Sequence, residues 1–358
     1  MHRIANRIFR YSRQISGLLD FARRPGPADR IAPSYPFGPL PKNLIHALQD
    51  EISKGVDVCQ AEFSEMLSLG AWFPKQIPKL FIHHQLHFVY SQRFLDVTGG
   101  TIYSDYLDSK WRVHEIAHLR NFDGVVTFSE HDRSILLPWL APEKVFVSPF
   151  PVPADTGIAV EIPVRFNGQF ILLASEVHPP NRDALAWLID AIWPEIFRAL
   201  PSARLNVIGK WSKSSMAKYN APGVSFSGYI PDLAESLRGG IMLAPLRIGS
   251  GIRVKILSAM AQGVPVVSTS IGSEGLFVTD SDDILVRDDA SEFAEAAVAI
   301  ARDHHLWARL AKAGVASITR NYSPEMVRQR RNHIYAALSL AKQSSRTADQ
   351  GATPLSAR

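Results

Sequence analysis

Ala244-Pro245-Leu246-Arg247-Ile248-Gly249-Ser250-Gly251-Ile252-Arg253-Val254-Lys255-Ile256-Leu257-Ser258-Ala259-Met260-Ala261-Gln262-Gly263-Val264-Pro265-Val266-Val267 is the stretch from which the fold can be read. An apolar strand ends near Leu246, a loop of small residues follows, and a helix starts near Ile252. The helix stops before Gly263, and a second apolar strand begins at Pro265. The small residues Gly249-Ser250-Gly251 let a ligand approach the backbone closely. The free N–H groups of the first helical turn favour an anion. Arg253 and Lys255 add fixed positive charge at the same place, suited to phosphate oxygens. Gly249, Ser250, Gly251, Arg253 and Lys255 are therefore read as a diphosphate-binding corner.

Outward from this corner the same rhythm continues. On its amino side, Gln169–Ala174, Leu205–Ile208, Val224–Phe226 and Gly240–Ala244 read as buried strands. On its carboxyl side, Pro265–Thr269 and Asp283–Val286 do so. Helices are expected at Arg182–Leu200, bent or restarted by Pro194, and at Pro231–Leu237, Val254–Gln262 and Ser291–Asp303. A first series runs through strands Val56–Ala61, Lys79–Ile82, Gly124–Phe128 and Lys144–Ser148, with helices at Asn43–Lys54, Ser104–Arg120 and Glu130–Leu137. Such alternation predicts parallel sheets covered on both faces. Two consecutive sheets of this kind bind ligands at the carboxyl ends of their strands, across a cleft. Residues 149–168, rich in Pro and Gly, read as the connection between them. The expected organisation is an amino-terminal domain over 1–155, a carboxy-terminal domain over 156–325, a terminal helix over 323–342 and a disordered tail over 343–358.

Composition sets the outer bounds. The chain has 358 residues, 46% hydrophobic and 20% charged, ordinary for a globular protein of about two domains. The single cysteine, Cys59, excludes an internal disulfide and a cysteine metal cluster and fits a reducing, cytoplasmic setting. No apolar run approaches the roughly 18–20 residues that span a bilayer, and no secretory signal pattern is present. The net charge of +5 equals the excess of seven arginines (Arg3, Arg7, Arg10, Arg13, Arg23, Arg24, Arg30) over Asp20 and Asp29 within residues 1–30. The basic character thus belongs to one end of the chain, and nucleic-acid binding across the whole protein is a poor reading of it. Residues 3–22 carry Ile4, Ile8, Tyr11, Ile15, Leu18, Leu19 and Ala22 mostly at helical spacing. This fits either an ordinary surface helix or a basic amphipathic helix resting on an anionic membrane face. Six prolines between 25 and 41 then mark a loop or extended connector.

The corner resembles the donor-binding signature of GT-B glycosyltransferases of family 4, the group 1 type. One subgroup of that family usually reads Pro-Leu-x-x-Gly-Ser-Gly-x-Arg-x-Lys-x-Leu-Glu-Ala-Met-Ala. Three further segments resemble the same subgroup: Ala174-Ser175-Glu176-Val177-His178-Pro179-Pro180-Asn181, Gly228-Tyr229-Ile230-Pro231-Asp232-Leu233, and Ser270-Ile271-Gly272-Ser273-Glu274-Gly275-Leu276. In the amino-terminal half, Phe81-Ile82-His83-His84-Gln85-Leu86-His87-Phe88 resembles the family's histidine-bearing loop, and Asp123-Gly124-Val125-Val126-Thr127-Phe128-Ser129-Glu130 its Asp-x-Val-x-x-x-Ser-Glu strand.

The resemblance implies a GT-B-like fold of two Rossmann-type domains facing a cleft. It implies transfer of a sugar from a nucleotide-diphosphate donor to a glycan or lipid-linked acceptor, with retention and without a bound metal or cofactor, in surface polysaccharide or glycolipid assembly. The expected setting is cytoplasmic, with peripheral contact to the inner membrane face through residues 3–24. Donor-binding residues would be Gly249, Ser250, Gly251, Arg253, Lys255, Ser258, Glu274, Gly275, Ser175 and Asn181. His84 or His83 would be the histidine near the reacting centre. The family's paired glutamates fall here on Ser250 and Ser258. Loss of the second, a ribose partner, is worth about 1.5–3 kcal/mol of charge-assisted hydrogen bonding. No strand and glycine-rich turn precede residue 55, so the amino-terminal domain is expected to be incomplete. A non-catalytic GT-B relative that binds nucleotide or partners a transferase is the alternative reading, and a nucleotide-sugar epimerase a third. Arg247 fits a phosphate contact or surface charge, and Glu62 and Glu65 fit the acceptor cleft or the surface. Asp280-Ser281-Asp282 reads as a polar loop before a strand, and His304-His305 as a solvated helix end.

Overall fold

The computed structural model describes residues 40–153, 157–159, 161–162 and 165–351, the last eight by backbone alone. The expected basic helix over 3–22 and most of the proline-rich segment lie outside the described residues. Two parallel sheets form. The first has strands β1 (Cys59–Glu62), β2 (Lys79–His83), β3 (Gly124–Thr127) and β4 (Val145–Val147) in the order β1-β2-β3-β4. The second has β5 (Gln169–Leu173), β6 (Arg204–Ile208), β7 (Val224–Gly228), β8 (Ile241–Ala244), β9 (Val266–Ser268) and β10 (Leu285–Val286) in the order β10-β9-β8-β5-β6-β7. The GT-B-like α/β class read from the sequence is the class observed.

Burial follows sheet position. The central strands β3 and β8 are buried at every residue, whereas the edge strand β7 alternates between half-buried and exposed positions. Strands covered on both faces need continuous apolar residues, and an outer strand does not. Among the described residues β1 is likewise an edge, paired with β2 alone. One face of the first sheet packs against Leu86, Ile116, Leu119 and Phe122. The other packs Leu80, Ile82, Val126 and Phe128 against Ile334 and Leu338 of the terminal helix. That helix therefore belongs in packing terms to the amino-terminal sheet. A Cβ on Gly124 would lie 2.9 Å from the tip of the Leu338 side chain, so the helix packs closely over this strand.

Several expectations about helices are corrected. The terminal helix runs Pro324–Gly351, not 323–342, so residues 343–351 are helical rather than a disordered tail. Gln343, Arg346, Ala348 and Gln350 are good helix formers, and no Gly or Pro interrupts the segment before Gly351. The helix expected at Arg182–Leu200 starts at Pro179 and divides. A π-type turn, Leu188–Ile192, precedes a second helix, Trp193–Ala199, with Pro194 in its first turn. Proline lacks an N–H and crowds the preceding turn, and the wider turn accommodates it. Helices His87–Thr98 and His304–Tyr322 were not anticipated, because their apolar residues are interrupted by His, Gln, Arg and Lys. His304 and His305 open the latter, next to its Asp303 cap.

In the second sheet the chain runs β5, β6, β7 to one side and then returns to place β8 on the other side of β5. The reversal puts the carboxyl ends of β5 and β8 side by side with their following loops diverging. This is the topological switch point at which open α/β sheets bind ligands.

Candidate functional site

Ala244 ends β8, and the loop to the Val254–Ala261 helix carries Gly249, Ser250 and Gly251. Gly249 and Gly251 have φ of +149° and +71°, which L-residues with a Cβ rarely adopt. A Cβ on Gly251 would lie 2.2 Å from the carbonyl oxygen of His84, in the loop after β2. The Ser250 hydroxyl accepts a 2.9 Å hydrogen bond from the Leu86 backbone N–H. The loop is thus pressed against the carboxyl end of the first sheet, and Ser250 is a bridge between the two sheets. Gly275 makes a parallel approach: a Cβ there would sit 2.8 Å from Ser129.

The two cations of the motif are held differently from one another. Arg253 is buried and donates to the carbonyls of Ser250 (2.7 Å), Gly251 and Ile271 (3.1 Å). Burial pushes its guanidinium down to about 10; Glu274 and Asp132 act against that shift, and Arg93 adds to it. Lys255 donates to the Leu173 carbonyl and to Asn181 Oδ1, each at 2.9 Å. Enclosure of its ammonium lowers it to about 7, and repulsion from Arg253 contributes. Asn181 in turn donates to the Ser175 carbonyl at 2.9 Å, and the Ser175 hydroxyl accepts from Lys210 N at 3.3 Å. The loops after β5 and β8 are thereby stitched together across the switch point. Ser258 is 4% exposed, within a helix whose residues 256–261 are all buried.

Glu274 does not stand open to the cleft. Arg93, on the His87–Thr98 helix, grips it with both guanidinium nitrogens at 3.1 and 2.6 Å and also donates to the Gly249 carbonyl at 2.7 Å. His131 Nε2 lies 3.0 Å from the same carboxylate. Neither Arg93 nor His131 was singled out from sequence. Each sits on the polar side of an ordinary helix, with no motif to mark it.

The two candidate histidines occupy different surroundings. His83, 3% exposed, lies 2.8 Å from Glu115, which also accepts the backbone N–H groups of His87 (3.0 Å) and Phe88 (3.1 Å). Glu115 therefore caps the His87–Thr98 helix from a neighbouring helix, beside the buried His83 ring. His84 is half-buried, stacked on Phe63 at 4.1 Å, with Nε2 2.9 Å from Glu62. Burial alone would raise the Glu62 carboxyl. The hydrogen bond and charge of His84, with Arg331 and Gln60, outweigh it and hold the group below the usual range. Tyr335 of the terminal helix donates to Gln60 Oε1 at 2.6 Å, and Arg331 donates to Ser148 at 3.3 Å. A carboxylate–histidine pair, braced by the terminal helix, thus sits at the end of the first sheet where the His84 backbone carbonyl meets Gly251.

Two signals resolve into structure. Arg247 forms a two-point pair with Asp183 (3.1 and 2.6 Å) and lies 5.1 Å over the Trp187 ring. Asp280 Oδ1 accepts from Val286 N at 2.8 Å and from Arg287 at 3.1 Å, closing the turn into β10. Among the described residues no group of three or more His, Cys, Asp or Glu is placed to hold a metal ion. Nor is any helix among them long and apolar enough to cross a membrane.

Residues 168–303 match the family described as glycosyl transferases group 1. An uncharacterized 44.6 kDa protein in the cps region of Klebsiella pneumoniae is 26% identical over 171 residues, 45% of this chain and 44% of that protein. The chain thus spans under half the length of this curated relative. Among solved structures, sucrose-phosphate synthase from Thermosynechococcus elongatus superposes with a TM-score of 0.67 at 18% identity, covering 87% of this chain and 83% of that one. HepE of Anabaena, in complex with UDP-glucose, gives 0.61 at 15% identity, covering 84% and 85%. TarM of S. aureus gives 0.56 at 18%, covering 73% of this chain and 51% of that one. These likenesses establish the fold.

Proposed function

We propose that this GT-B protein, whose residues 168–303 match the group 1 glycosyl transferases, transfers a sugar from a nucleoside-diphosphate donor to a hydroxyl acceptor. The observation that carries the reading is the convergence of Arg253, Lys255 and the Gly249–Gly251 loop at the switch point, with the loop pressed against the backbone of His84, the residue paired with Glu62. Fixed cations next to a helix start stabilise the charge that develops on a departing diphosphate, which is electrostatic catalysis. A histidine held by a carboxylate is suited to hold or move a hydroxyl proton. His84, at the cleft, is the residue proposed for that role, and His83 the one proposed to support it through Glu115.

Retention at the anomeric carbon and independence of a bound metal are part of the proposal. The family resemblance and the protein cations at the diphosphate corner support them, and turnover in the presence of a chelator tests the second. A surface polysaccharide or glycolipid acceptor is proposed from the same resemblance and from the cps-region relative. Contact with an anionic membrane face through residues 3–24 is tested by sedimentation with vesicles. The deciding experiment is calorimetric titration with UDP, GDP, ADP and dTDP beside an Arg253→Ala/Lys255→Ala control. Binding of one nucleotide, lost in the control, supports the donor site; binding of none overturns it.

Ser258 and the engaged state of Glu274 favour one second reading, a relative that binds nucleotide without transferring sugar. Ser258→Glu separates the two. Activity that appears only in this variant supports the non-catalytic reading of the natural chain.

A further inference from the structure

Three cations surround the Gly249–Gly251 loop, and they differ in what holds them. Arg253 is committed to three backbone carbonyls and Lys255 to the Leu173 carbonyl and Asn181. Backbone carbonyls do not leave, so these two are fixtures of the fold. Arg93 reaches over from the other sheet. Its main partner is a side-chain carboxylate, Glu274, gripped at 2.6 and 3.1 Å, with the Gly249 carbonyl as a third contact. The pair retains some solvent access, at 21% for Arg93 and 16% for Glu274.

Arg93 is bonded to one carboxylate, Glu274, and Arg253 to carbonyls alone. Arg93 contributes to the lowering of the Arg253 guanidinium, and Arg253 to the lowering of the Lys255 ammonium. The carboxyls acting on Arg253 are Glu274, which Arg93 grips, and Asp132, which accepts a 2.8 Å hydrogen bond from Ser129. A half-enclosed corner holding several cations is stabilised by a multivalent anion. A diphosphate offers more charge than one carboxylate and the paired oxygens that a guanidinium fork matches.

Building on the proposed donor site, we infer that Arg93 is a third diphosphate-binding residue, supplied by the amino-terminal half and kept in reserve by Glu274. Donor phosphate competes with the Glu274 carboxylate for the guanidinium. As Arg93 exchanges partners, Glu274 is released next to the Gly275 amide. The Arg93–Glu274 pair is then a latch between the two sheets that the ligand itself opens.

The test is calorimetric titration of the full chain with UDP and with UMP, for the wild type, Arg93→Met, Arg93→Lys and Glu274→Gln. Arg93→Met is expected to weaken UDP binding by about tenfold or more, the size of a lost charge-assisted contact, and to lower the preference for UDP over UMP. Arg93→Lys keeps the charge without the fork and should fall between. Glu274→Gln removes the competitor and should tighten UDP binding. Equal losses for UDP and UMP in Arg93→Met would mean that Arg93 only holds the sheets together, and would overturn the inference. Weaker UDP binding in Glu274→Gln would overturn the exchange as well. Wild-type binding with Arg93→Met unchanged sinks this inference and leaves the donor site standing. Absence of binding by the wild type to UDP, GDP, ADP and dTDP alike removes both.

Discussion

Lys255 provides the most demanding test of the site, because its environment is costly in one charge state. Its ammonium is enclosed between the Leu173 carbonyl and Asn181, beside Arg253, and is lowered from the ordinary 10.5 to about 7. At about 1.4 kcal/mol per tenfold change, that interval is worth up to about 5 kcal/mol. The sign follows from proton counts. Between about pH 7 and pH 10.5 the unfolded chain keeps a proton on Lys255 that the native chain has lost. Native stability therefore rises with pH across that window, and below pH 7 the full penalty of a buried ammonium applies.

Replacing Lys255 with Met removes the titration. It also leaves two acceptors short of a donor, about 1–3 kcal/mol each, a cost that does not change with pH. The difference in unfolding free energy between wild type and Lys255→Met should thus vary with pH, moving by up to about 5 kcal/mol in the wild type's favour as the window is crossed upward. Urea unfolding followed by tryptophan fluorescence at intervals through the window measures it. Diphosphate binding should restore the charge, so donor binding near neutral pH should take up a proton, visible in calorimetry as a dependence on buffer ionisation enthalpy. Parallel pH profiles for the two proteins, together with buffer-independent binding heats, would refute the argument that burial and Arg253 set the state of Lys255.

Other perturbations address the remaining parts. Gly251→Ala forces a Cβ against the His84 carbonyl at a backbone angle of +71°; it should cost roughly 1–3 kcal/mol and weaken nucleotide binding, as read by denaturation and titration. Glu62→Gln removes the anion that orients His84. Sugar-nucleotide turnover should fall about a hundredfold while nucleotide affinity stays within about twofold, a split a simple folding defect would not produce. Arg247→Ala should leave nucleotide affinity unchanged, because Arg247 is spent on Asp183 and Trp187; a loss would return it to the phosphate contacts.

Local pattern determined much of this protein. Continuous apolar runs such as Ile241–Ala244 and Val266–Ser268 can be satisfied only when both faces are covered, and so they announced a parallel sheet. The glycines at 249 and 251, followed by two cations at a helix start, announced an anion corner, since few other arrangements need that combination. The terminal helix was legible in kind but not in length, because the polar segment 343–351, with its Ser, Thr and Asp, reads equally as solvated helix or as coil. What sequence could not supply was any relation between residues far apart in the chain. Nothing in Glu274 points to Arg93, 181 positions away. Nothing in His83 distinguishes it from His84 until Glu115 draws one into the core and Glu62 holds the other at the cleft. Sequence pattern reports what each segment must bury. Which buried or half-buried charges face one another is decided only when the two sheets close on a common loop, and at this protein's site that decision sets what each cation is bonded to.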